Sequence, residues 1–523
     1  MEQRLSEFFT PETAKKAGLI AREGDSDPPV TGLEYDSRNV KPGNLFFALP
    51  GLHTNGSLFI DDAISRGATV IVHEIDDFDK KSGIVYLRVN NSRFAMSPLA
   101  DSFYKSPSRR MFVTGVTGTE GKSTTVYLIW QLLSLMGKKA GFFSTVERSL
   151  GGEALWNSEH QTTPEAVVVQ RLLREMADNG CEYAVVEASS HGLSRKTNRL
   201  GDVNFCSAVL TNVTHEHLEF HGTWEQYRDD KANLFRALDC YAPINLSCDF
   251  EPFGVINADD KSADFFSQAV KCKTYSYSRE GADSNLAAQT IESGALGNSY
   301  RVFIKDLNEQ IEVKDYLPGS FNIGNVLAAL LTVSNLLNVP VRKIIPFVSI
   351  FKPVRGRMTA INKGQPFELV VDYAHTPSSF HAILPTTRAR LDKTGGRLIT
   401  LFGSAGERDT LKRAHQGNLA ARYSDFIVLT DEDPRGEKPM DILEEIAKGI
   451  ETRVQNNIKV FTRDKNFFLI PDRPSAIRKA LSLARAGDLV LLLGKGHENS
   501  IIYADHVMPY DEIAEAEKAL SEM

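Results

Sequence analysis

The chain has 523 residues, of which 42% are apolar and 24% charged, and its formal net charge is −7. At roughly 150 residues per domain, this length predicts three or four globular domains. The acidic balance argues against a nucleic-acid partner, and no apolar run approaches the roughly 20 residues of a membrane span. The N-terminal residues lack the apolar core of a secretory signal, so we expect no signal peptide and no membrane partner.

The cysteines indicate neither disulfides nor a zinc ribbon. They are scattered along the chain and form no C-x-x-C pair. The five cysteines are Cys181, Cys206, Cys240, Cys248 and Cys272. Such cysteines are typical of reduced thiols in a cytoplasmic protein.

Residues 1–105 predict a small α/β domain. The run at 30–38 predicts a strand and then a polar turn, and further elements are strands at 44–49, 68–72 and 83–88 with a helix at 59–66. The loop at 50–56 carries glycines and small polar residues, which suit close approach of a ligand. An ordinary surface turn fits this local sequence equally well.

The segment at 110–125 predicts a phosphate-binding loop. A β-prone run, Met111–Val113, leads into a glycine-rich loop, then Lys122, Ser123 and an apolar helix at 126–136. In such a loop, backbone amides and the helix N-terminus bind phosphate, the lysine pairs with a phosphate, and the serine hydroxyl reaches Mg²⁺. The common G-x-x-x-x-G-K-[ST] form would need glycine where this chain has Val116, and the alternative is a chance glycine-rich turn.

Strands and helices alternate through residues 106–350, which indicates a parallel sheet covered on both faces. Strands are predicted at 183–187, 207–212 and 254–257. Ligands of parallel sheets gather at the carboxyl ends of the strands, where Glu187, Thr211 and Asn212 stand. Glu187 and Ser123 together suit Mg²⁺, which prefers few carboxylates plus phosphate oxygens. The alternative is a carboxylate that caps the next helix.

Three histidines and two glutamates lie within residues 214–221. His217 and His221 would share one face of a helix, which is compatible with a zinc site. The H-E-x-x-H pattern of zinc proteases is absent, because positions 215 and 219 are not both histidine: His215-Glu216-His217 is followed by Leu218 and Glu219. Zinc binding is therefore the less favoured alternative.

A linker with Pro353 and Gly356 opens a third region, 351–523. Its predicted strands lie at 367–373, 397–402, 425–430 and 488–493, separated by helices such as 441–454. This alternation indicates a second doubly wound sheet. The loop at 403–406 does not fit G-x-G-x-x-G, so we expect no nicotinamide site.

Together these segments resemble the Mur ligases, the cytoplasmic ATP-dependent ligases of peptidoglycan synthesis. The closest likeness is to the members that add a diamino acid to UDP-MurNAc-L-Ala-D-Glu, and it extends from Asp36 to Glu498. The resemblance implies an α/β protein with a UDP-substrate domain at 1–105, a central ATP-binding domain at 106–350 and a Rossmann-like amino-acid-binding domain at 351–523. It also implies ATP and Mg²⁺, small-molecule substrates and a cytoplasmic monomer.

The resemblance assigns a nucleotide site. The family's T-G-T-N-G-K-[ST] loop stands at 117–123, with Glu120 in place of Asn, and its adenine-side G-x-[FH]-N-x-x-N motif stands at 319–325. Elements of the third domain, at 356–358 and 372–377, close over ATP in the family. The implied ATP-binding residues are Gly118, Thr119, Glu120, Gly121, Lys122, Ser123, Thr124, Asn322, Asn325, Arg357 and Asp372.

A metal site and a modified lysine are implied as well. The family's E-[VA]-S-S-H-[AG]-L stands at 187–193 and its T-N-[LV]-x-x-D-H-L-D-[YF]-H-G at 211–222, with Glu216 for Asp. Lys231 stands where the family carries a carbamylated lysine, whose carbamate is a carboxylate-like Mg²⁺ ligand. Without the resemblance, Lys231 would be interpreted as an exposed helix lysine. The implied catalytic residues are Lys122, Glu187, His217 and Lys231, and the implied metal ligands are Ser123, Glu187, His217 and Lys231.

The implied contacts to UDP-MurNAc-dipeptide come from several segments. The family's uridine-side loops resemble 35–38 and 52–54, and its Asn-Thr-Thr contact appears at 161–163. A family arginine is missing at Thr197, and either of two nearby arginines is a candidate replacement. The implied residues are Tyr35, Ser37, Leu52, His53, Thr54, Gln161, Thr162, Thr163, Ser189, Arg195 and Arg199.

The amino-acid side resembles the family at 402–409, at the G-K-G-H-E motif of 494–498, and at a selector segment, Asp431 to Arg435. The diaminopimelate-adding pattern is D-N-P-R, in which the arginine takes the distal carboxylate. Arg435 therefore favours meso-diaminopimelate, whereas Asp433 suits the distal ammonium of any diamino acid, including lysine and ornithine. If Asp433 or Glu432 neutralises Arg435, diaminopimelate loses its partner. The implied residues are Arg408, Glu432, Asp433, Pro434, Arg435, Gly494 and Glu498.

Three other functions stay open from the sequence. A folylpolyglutamate-synthetase-like ligase shares the reaction scheme. A non-catalytic nucleotide-binding relative is suggested by Glu120, Thr197 and Glu216, which depart from the family pattern. A zinc hydrolase is suggested by the histidine cluster.

Overall fold

The computed structural model describes residues 2–50, 56–76, 78–157, 161–214, 218–243, 250–294, 297–455 and 461–523. The chain separates into two compact units, residues 1–277 with 328–339 and residues 278–327 with 340–523. Among the described residues, no single helix is long and apolar enough for a membrane span. Phe321–Leu337 and Val341–Ile350 reach that composition only when they are joined across a 108° bend.

The first unit opens with a five-stranded sheet of order β2-β7-β6-β5-β4, in which only β2 runs antiparallel to its neighbour. The strands of this region are β1 (Gln3–Arg4), β2 (Leu19–Glu23), β3 (Pro29–Val30), β4 (Gly32–Glu34), β5 (Asn44–Phe47), β6 (Val70–His73) and β7 (Val85–Val89). The helices are α1 (Leu5–Phe8), α2 (Pro11–Lys16), α3 (Ile60–Ser65) and α4 (Ser92–Phe103), with 3₁₀ turns at Ser37–Asn39, Gly56–Phe59 and Pro107–Arg110.

A mostly parallel sheet follows in the same unit, in the order β11-β10-β9-β12-β8-β13-β14-β15. Its strands are β8 (Phe112–Thr117), β9 (Ala140–Phe143), β10 (Glu147–Ser149), β11 (Leu155–Trp156), β12 (Tyr183–Glu187), β13 (Phe205–Leu210), β14 (Phe253–Asn257) and β15 (Lys273–Ser278). The helices are α5 (Lys122–Leu135), α6 (Ala166–Asp178), α7 (Ser190–Leu193), α8 (Leu218–His221), α9 (Trp224–Leu238) and α10 (Ala263–Gln268). Strand β12 is buried at every position, as expected of a central strand covered on both faces. The parallel strands β12, β8 and β13 are neighbours, so their carboxyl ends share one edge.

The second unit contains an antiparallel meander, β16 to β18, and a six-stranded sheet of order β19-β20-β24-β21-β22-β23, parallel except for β19. Its strands are β16 (Leu286–Gly294), β17 (Gly297–Ile304), β18 (Glu309–Asp315), β19 (Thr359–Ile361), β20 (Glu368–Asp372), β21 (Leu398–Phe402), β22 (Phe426–Leu429), β23 (Phe467–Leu469), β24 (Leu489–Leu493), β25 (Ser500–Ile502) and β26 (Val507–Pro509). Helix α11 (Phe321–Leu337) has residues in both units: 321–327 belong to the second unit and 328–337 to the first. The other helices are α12 (Pro377–Thr394), α13 (Leu411–Tyr423), α14 (Pro439–Gln455), α15 (Arg473–Leu483) and α16 (Glu512–Ser521). The 3₁₀ turns of this unit are Lys305–Leu307, Val341–Lys343 and Ile345–Ile350.

The predicted α/β class with a parallel central sheet is confirmed. Helix α5 begins at Lys122 rather than at 126, because the polar Lys-Ser-Thr-Thr run that opens it carries no apolar period. Strand β8 continues through Gly115 to Thr117, since β12 and β13 pair with it on both sides. The meander was not predicted from the sequence.

Candidate active site

The predicted phosphate loop forms the turn between β8 and α5. Gly118 has φ +154° and Gly121 has φ +85°. A Cβ on Gly118 would lie 1.8 Å from Oγ1 of Thr211, so no side chain fits there. The glycines are therefore required by the path of the loop.

The carboxyl end of β13 holds this loop. Oγ1 of Thr211 donates to the carbonyl of Glu120 at 2.6 Å, and the Asn212 amide donates to the same carbonyl at 3.1 Å while accepting from the Glu120 N–H at 2.9 Å. The backbone N–H of Thr119 donates to the Asn212 carbonyl at 2.8 Å. Lys122 is half-buried and its Nζ donates to the Thr119 carbonyl at 2.8 Å. These contacts fix the loop backbone where a phosphate would bind.

Ser123 and Glu187 lie together, as the sequence indicated. Both are buried, and Oγ of Ser123 donates to Oε2 of Glu187 at 2.9 Å. Sequence reasoning missed Thr145, whose backbone N–H and hydroxyl donate to Glu187 at 2.7 and 3.1 Å. Its position just after β9, the strand beside β12, was the available signal. A hydroxyl and an oriented carboxylate thus meet at the first turn of α5.

Lys231 is buried rather than exposed, with 1% of its surface accessible. Its Nζ donates to the Gly118 carbonyl at 2.6 Å and lies 4.4 Å from the centre of the Tyr227 ring. The hydroxyl of Tyr227, which sequence reasoning also missed, is 3.0 Å from Oγ1 of Thr119. Helix α9 therefore contacts the phosphate loop through both side chains.

The histidine cluster is only partly described. Residues 215–217, which include the candidate His217, lie outside the described residues. His221 is buried, with Nδ1 2.7 Å from Oδ2 of Asp230 and Nε2 3.0 Å from Oγ of Ser190. Within the described part of the chain, no three His, Cys, Asp or Glu side chains form a metal site.

Thr163 connects the strand end at Glu187 to the candidate substrate residues. Its hydroxyl donates to the Glu187 carbonyl at 2.8 Å and accepts from the Ser189 N–H at 3.0 Å. Thr162 is half-buried and Gln161 is exposed. Two of the three residues of the predicted Gln-Thr-Thr contact are therefore sheltered beside β12.

The two candidate replacement arginines lie in different surroundings. Arg199 donates to the Thr163 carbonyl at 2.7 Å and to Oε1 of Glu165 at 2.8 Å. Arg195 is exposed and lines a separate groove of about 620 Å³ beside α9. Thr197 is buried and donates to backbone carbonyls of its own turn, including that of Ser194 at 3.3 Å.

The uridine-side candidates are partly covered. Tyr35 is half-buried and Ser37 is buried. Asp36 forms an ion pair with Arg38 at 2.6 Å, and this arginine holds the Asp36 pKa below its usual value. Leu52, His53 and Thr54 lie outside the described residues.

In the second unit, two asparagines of the nucleotide motif are buried at the start of α11. Nδ2 of Asn322 donates to the Pro318 carbonyl at 2.8 Å, and Nδ2 of Asn325 donates to Oδ1 of Asn322 at 2.9 Å. Elsewhere in this unit, Asp372 accepts from the Met358 and Ala374 N–H groups at 2.7 Å each.

Arg357 lies over an aromatic ring. Its guanidinium is 4.6 Å from the ring centre of Tyr373, and its Nε is buried without a hydrogen-bond partner among the described residues. Burial raises the Asp372 pKa, and Arg357 opposes that rise. The Nε donor of Arg357 is therefore not used by any described residue.

The selector segment follows β22. Glu432 and Asp433 are buried, and burial raises the Glu432 pKa. Asp433 pairs with Lys495 at 2.8 Å, and Lys495 pairs with Glu498 at 2.5 Å. Gly494 has φ +104°, and a Cβ there would lie 3.1 Å from Oε2 of Glu432.

Arg435 is not neutralised within the selector segment. In the part of the chain that the structure describes, its guanidinium makes no ion pair, and its Nε is buried without a hydrogen-bond partner. Its backbone has φ +54°, an uncommon conformation for a side-chain-bearing residue, fixed by pairing with Ile502. Arg408, the remaining candidate, is exposed.

Comparisons with known proteins cover nearly the whole chain. The profile of the Mur ligase family catalytic domain matches residues 29–104, that of the Mur ligase middle domain residues 116–333, and that of the Mur ligase glutamate ligase domain residues 356–496. A UDP-N-acetylmuramyl-tripeptide synthetase of Treponema denticola is 49% identical over 529 residues, covering 97% of each chain. A UDP-N-acetylmuramoyl-L-alanyl-D-glutamate–2,6-diaminopimelate ligase of Caldanaerobacter subterraneus is 33% identical, covering 95% of this chain and 97% of the relative. A solved structure of a ligase with the same substrate names is 26% identical with a TM-score of 0.63, covering 100% of this chain and 99% of that one.

Proposed function

The chain belongs to the Mur ligase family of ATP-dependent, amide-bond-forming ligases, and we propose that it joins a diamino acid to the glutamyl carboxylate of UDP-MurNAc-L-Ala-D-Glu. The γ-phosphoryl group of ATP passes to that carboxylate, and the amine of the diamino acid then displaces phosphate from the acyl phosphate. The observation that carries this proposal is the meeting of Lys122, Ser123, Glu187 and Lys231 around one phosphate loop. Full-length likeness to tripeptide synthetases favours it over a folylpolyglutamate-type ligase or a non-catalytic relative. We propose a cytoplasmic monomer that acts on small molecules.

Ser123 and Glu187 fit a Mg²⁺ site. Their hydroxyl and carboxylate are hard oxygen donors 2.9 Å apart, at a helix N-terminus where phosphate oxygens bind. Mg²⁺ bound there would offset the charge that develops on the transferring phosphoryl group. Thr145 keeps the carboxylate oriented, and Lys122 pairs with the same phosphates. The family motif adds His217 to the proposed ligand set.

We assign Lys231 as a carbamylated ligand of the same site. A lysine reacts with CO₂ through its neutral amine, and the product is a carbamate on Nζ. The contact of Nζ with the Gly118 carbonyl needs one N–H, and a carbamate keeps one. The carbamate would add a carboxylate to the proposed ligand set without a further acidic residue.

Arg199 is the proposed substitute for the family arginine absent at Thr197. It contacts the carbonyl of Thr163, next to Ser189, whereas Arg195 is exposed in a separate groove. Its Nε is buried without a hydrogen-bond partner among the described residues. Arg199, which also pairs with Glu165, therefore lies beside Thr163, and we propose that Thr162, Thr163 and Ser189 contact the same glutamyl carboxylate.

The selector segment supports a diamino acid as the second substrate. Glu432, Asp433 and Glu498 place three carboxylates near the carboxyl ends of β22 and β24, which suits a distal ammonium. Arg435 retains its donors and suits the second carboxylate of meso-diaminopimelate, which lysine and ornithine lack. The choice among the three amino acids thus depends on whether Arg435 faces the ligand.

Replacement of Arg435 tests this choice. Loss of a charged hydrogen-bond partner costs on the order of 2–5 kcal/mol. If diaminopimelate is the substrate, Arg435→Ala should lower kcat/KM for it at least about tenfold while sparing lysine and ornithine. Arg422→Ala, an exposed arginine of the same unit, is the matched control. An unchanged preference among the three amino acids would exclude the selector segment from recognition.

A further inference from the structure

A buried lysine lies between two carboxylates of the proposed amino-acid site. The side chain of Lys495 is 1% exposed, and its Nζ is 2.8 Å from Oδ1 of Asp433 and 2.5 Å from Oε2 of Glu498. Burial alone would lower the Lys495 pKa, but the two carboxylates raise it above its usual value. The Lys495 ammonium therefore forms ion pairs with both Asp433 and Glu498.

The other contacts of the two carboxylates leave one oxygen available. Oε1 of Glu498 accepts from the Tyr373 hydroxyl at 3.2 Å, so both oxygens of Glu498 are held. Oδ1 of Asp433 accepts from Lys495 and from the Ile502 N–H at 3.0 Å. Among the described residues, Oδ2 of Asp433 accepts no hydrogen bond. Asp433 can therefore bind Lys495 and a second ammonium at once.

Lys495 also joins two loops that are distant in sequence. Asp433 follows β22, whereas Lys495 and Glu498 follow β24, and β21 lies between these strands in the sheet. Without the lysine, two like charges would remain close together, with Asp433 buried and Glu498 half-buried. They would move apart, or one of them would take up a proton. An unpaired buried charge is strongly disfavoured, so one of these changes would occur. Either change would remove a negatively charged carboxylate from the proposed ammonium site.

We propose that Lys495 is a specificity-determining positioning residue for the incoming amino acid. It holds Asp433 and Glu498 together so that their negative charge is directed at a distal ammonium. This inference rests on the proposed function and assigns recognition of the distal ammonium to two carboxylates that Lys495 holds together. Lys495 itself acts through the two carboxylates and makes no bond to the substrate.

The test measures KM separately for the amino acid, ATP and UDP-MurNAc-dipeptide. Lys495→Met removes the charge and keeps much of the volume, Lys495→Arg keeps the charge, and Lys363→Met is a control on an exposed lysine of the same unit. Lys495→Met should raise the amino-acid KM at least tenfold and change the ATP KM by less than twofold. Lys495→Arg should recover part of that loss. In an Asp433→Asn background, Lys495→Met should have a smaller effect, because one of the two acids has lost its charge.

An equal rise of all three KM values, or a fall in kcat with the amino-acid KM unchanged, would overturn the proposal. If Lys495→Met does not fold, Asp433→Asn is compared with Asp433→Asn/Lys495→Met. The double variant should still show an amino-acid KM at least threefold higher than Asp433→Asn, since Glu498 then keeps only its contact with the Tyr373 hydroxyl, and equal values would overturn the proposal. A wild-type protein that ligates no diamino acid would refute the proposed function itself, and the inference with it.

Discussion

Replacement of Lys231 tests the buried contact between α9 and the phosphate loop. Lys231→Ala removes the methylene groups beyond Cβ, about 2.4 kcal/mol of burial at about 0.8 kcal/mol each. It also removes the hydrogen bond to the Gly118 carbonyl, which contributes about 1 kcal/mol. The free energy of unfolding should therefore fall by about 3–4 kcal/mol. Lys231→Met retains most of the apolar volume and should cost only about 1 kcal/mol.

Activity separates a ligand role from a packing role. Both variants should lose about 10- to 100-fold or more of ATP-dependent ligation, the range typical of a disturbed metal site. The space left by alanine can admit formate or acetate, whose carboxylate would replace the proposed carbamate, whereas methionine fills that space. Added carboxylate should thus rescue Lys231→Ala in part and leave Lys231→Met inactive.

The assay is phosphate release with a product check by mass spectrometry, alongside thermal melting of each variant. Near-wild-type ligation by folded Lys231→Met would refute the reasoning. Equal rescue of both variants, or full wild-type activity in CO₂-depleted buffer, would refute it as well.

Three further replacements probe the fold and the loop. Lys122→Ala should abolish ATP turnover while the protein still folds, and ligation by the folded variant would contradict the phosphate role. Gly118→Ala should abolish ATP binding in a titration, because its Cβ would meet Oγ1 of Thr211 at 1.8 Å, and wild-type affinity would contradict this geometry. Burial raises the Asp101 pKa from 3.8 to about 6, so the folded state binds that proton more tightly and stability falls as pH rises from about 4 to 6. Asp101→Asn should therefore melt at increasingly higher temperatures than wild type across that range, and a constant difference would contradict the assignment.

The parts of the site that the sequence predicted are those with local signals. Ser123 follows a recognisable glycine loop, and Glu187 ends an apolar run, so a parallel sheet alone places both at one edge. The pair of Asp433 and Lys495 had no such signal, because the two residues are 62 positions apart in the chain. Each of them, taken alone, would be interpreted as a charged residue on the surface. The alternative in which Asp433 neutralises Arg435 was wrong for this reason, since the nearer charge in sequence is not the nearer one in space.

For secondary structure too, the elements with local sequence signals were predicted and those without them were missed. The apolar strands β12 and β24 were predicted within one residue of their observed bounds. The meander β16 to β18 was missed, because its polar, half-exposed strands lack a long apolar run. Tyr227 and Thr145 were missed because their contacts depend on how α9 and β9 pack against the phosphate loop.

The most direct test of the account follows an oxygen atom. The glutamyl carboxylate of UDP-MurNAc-L-Ala-D-Glu is labelled with ¹⁸O, and the phosphate released during ligation is analysed by mass spectrometry. Transfer of the γ-phosphoryl group to that carboxylate predicts that each released phosphate carries an oxygen from the peptide. Unlabelled phosphate, formed together with the amide product, would contradict the acyl-phosphate reaction that the site is proposed to perform.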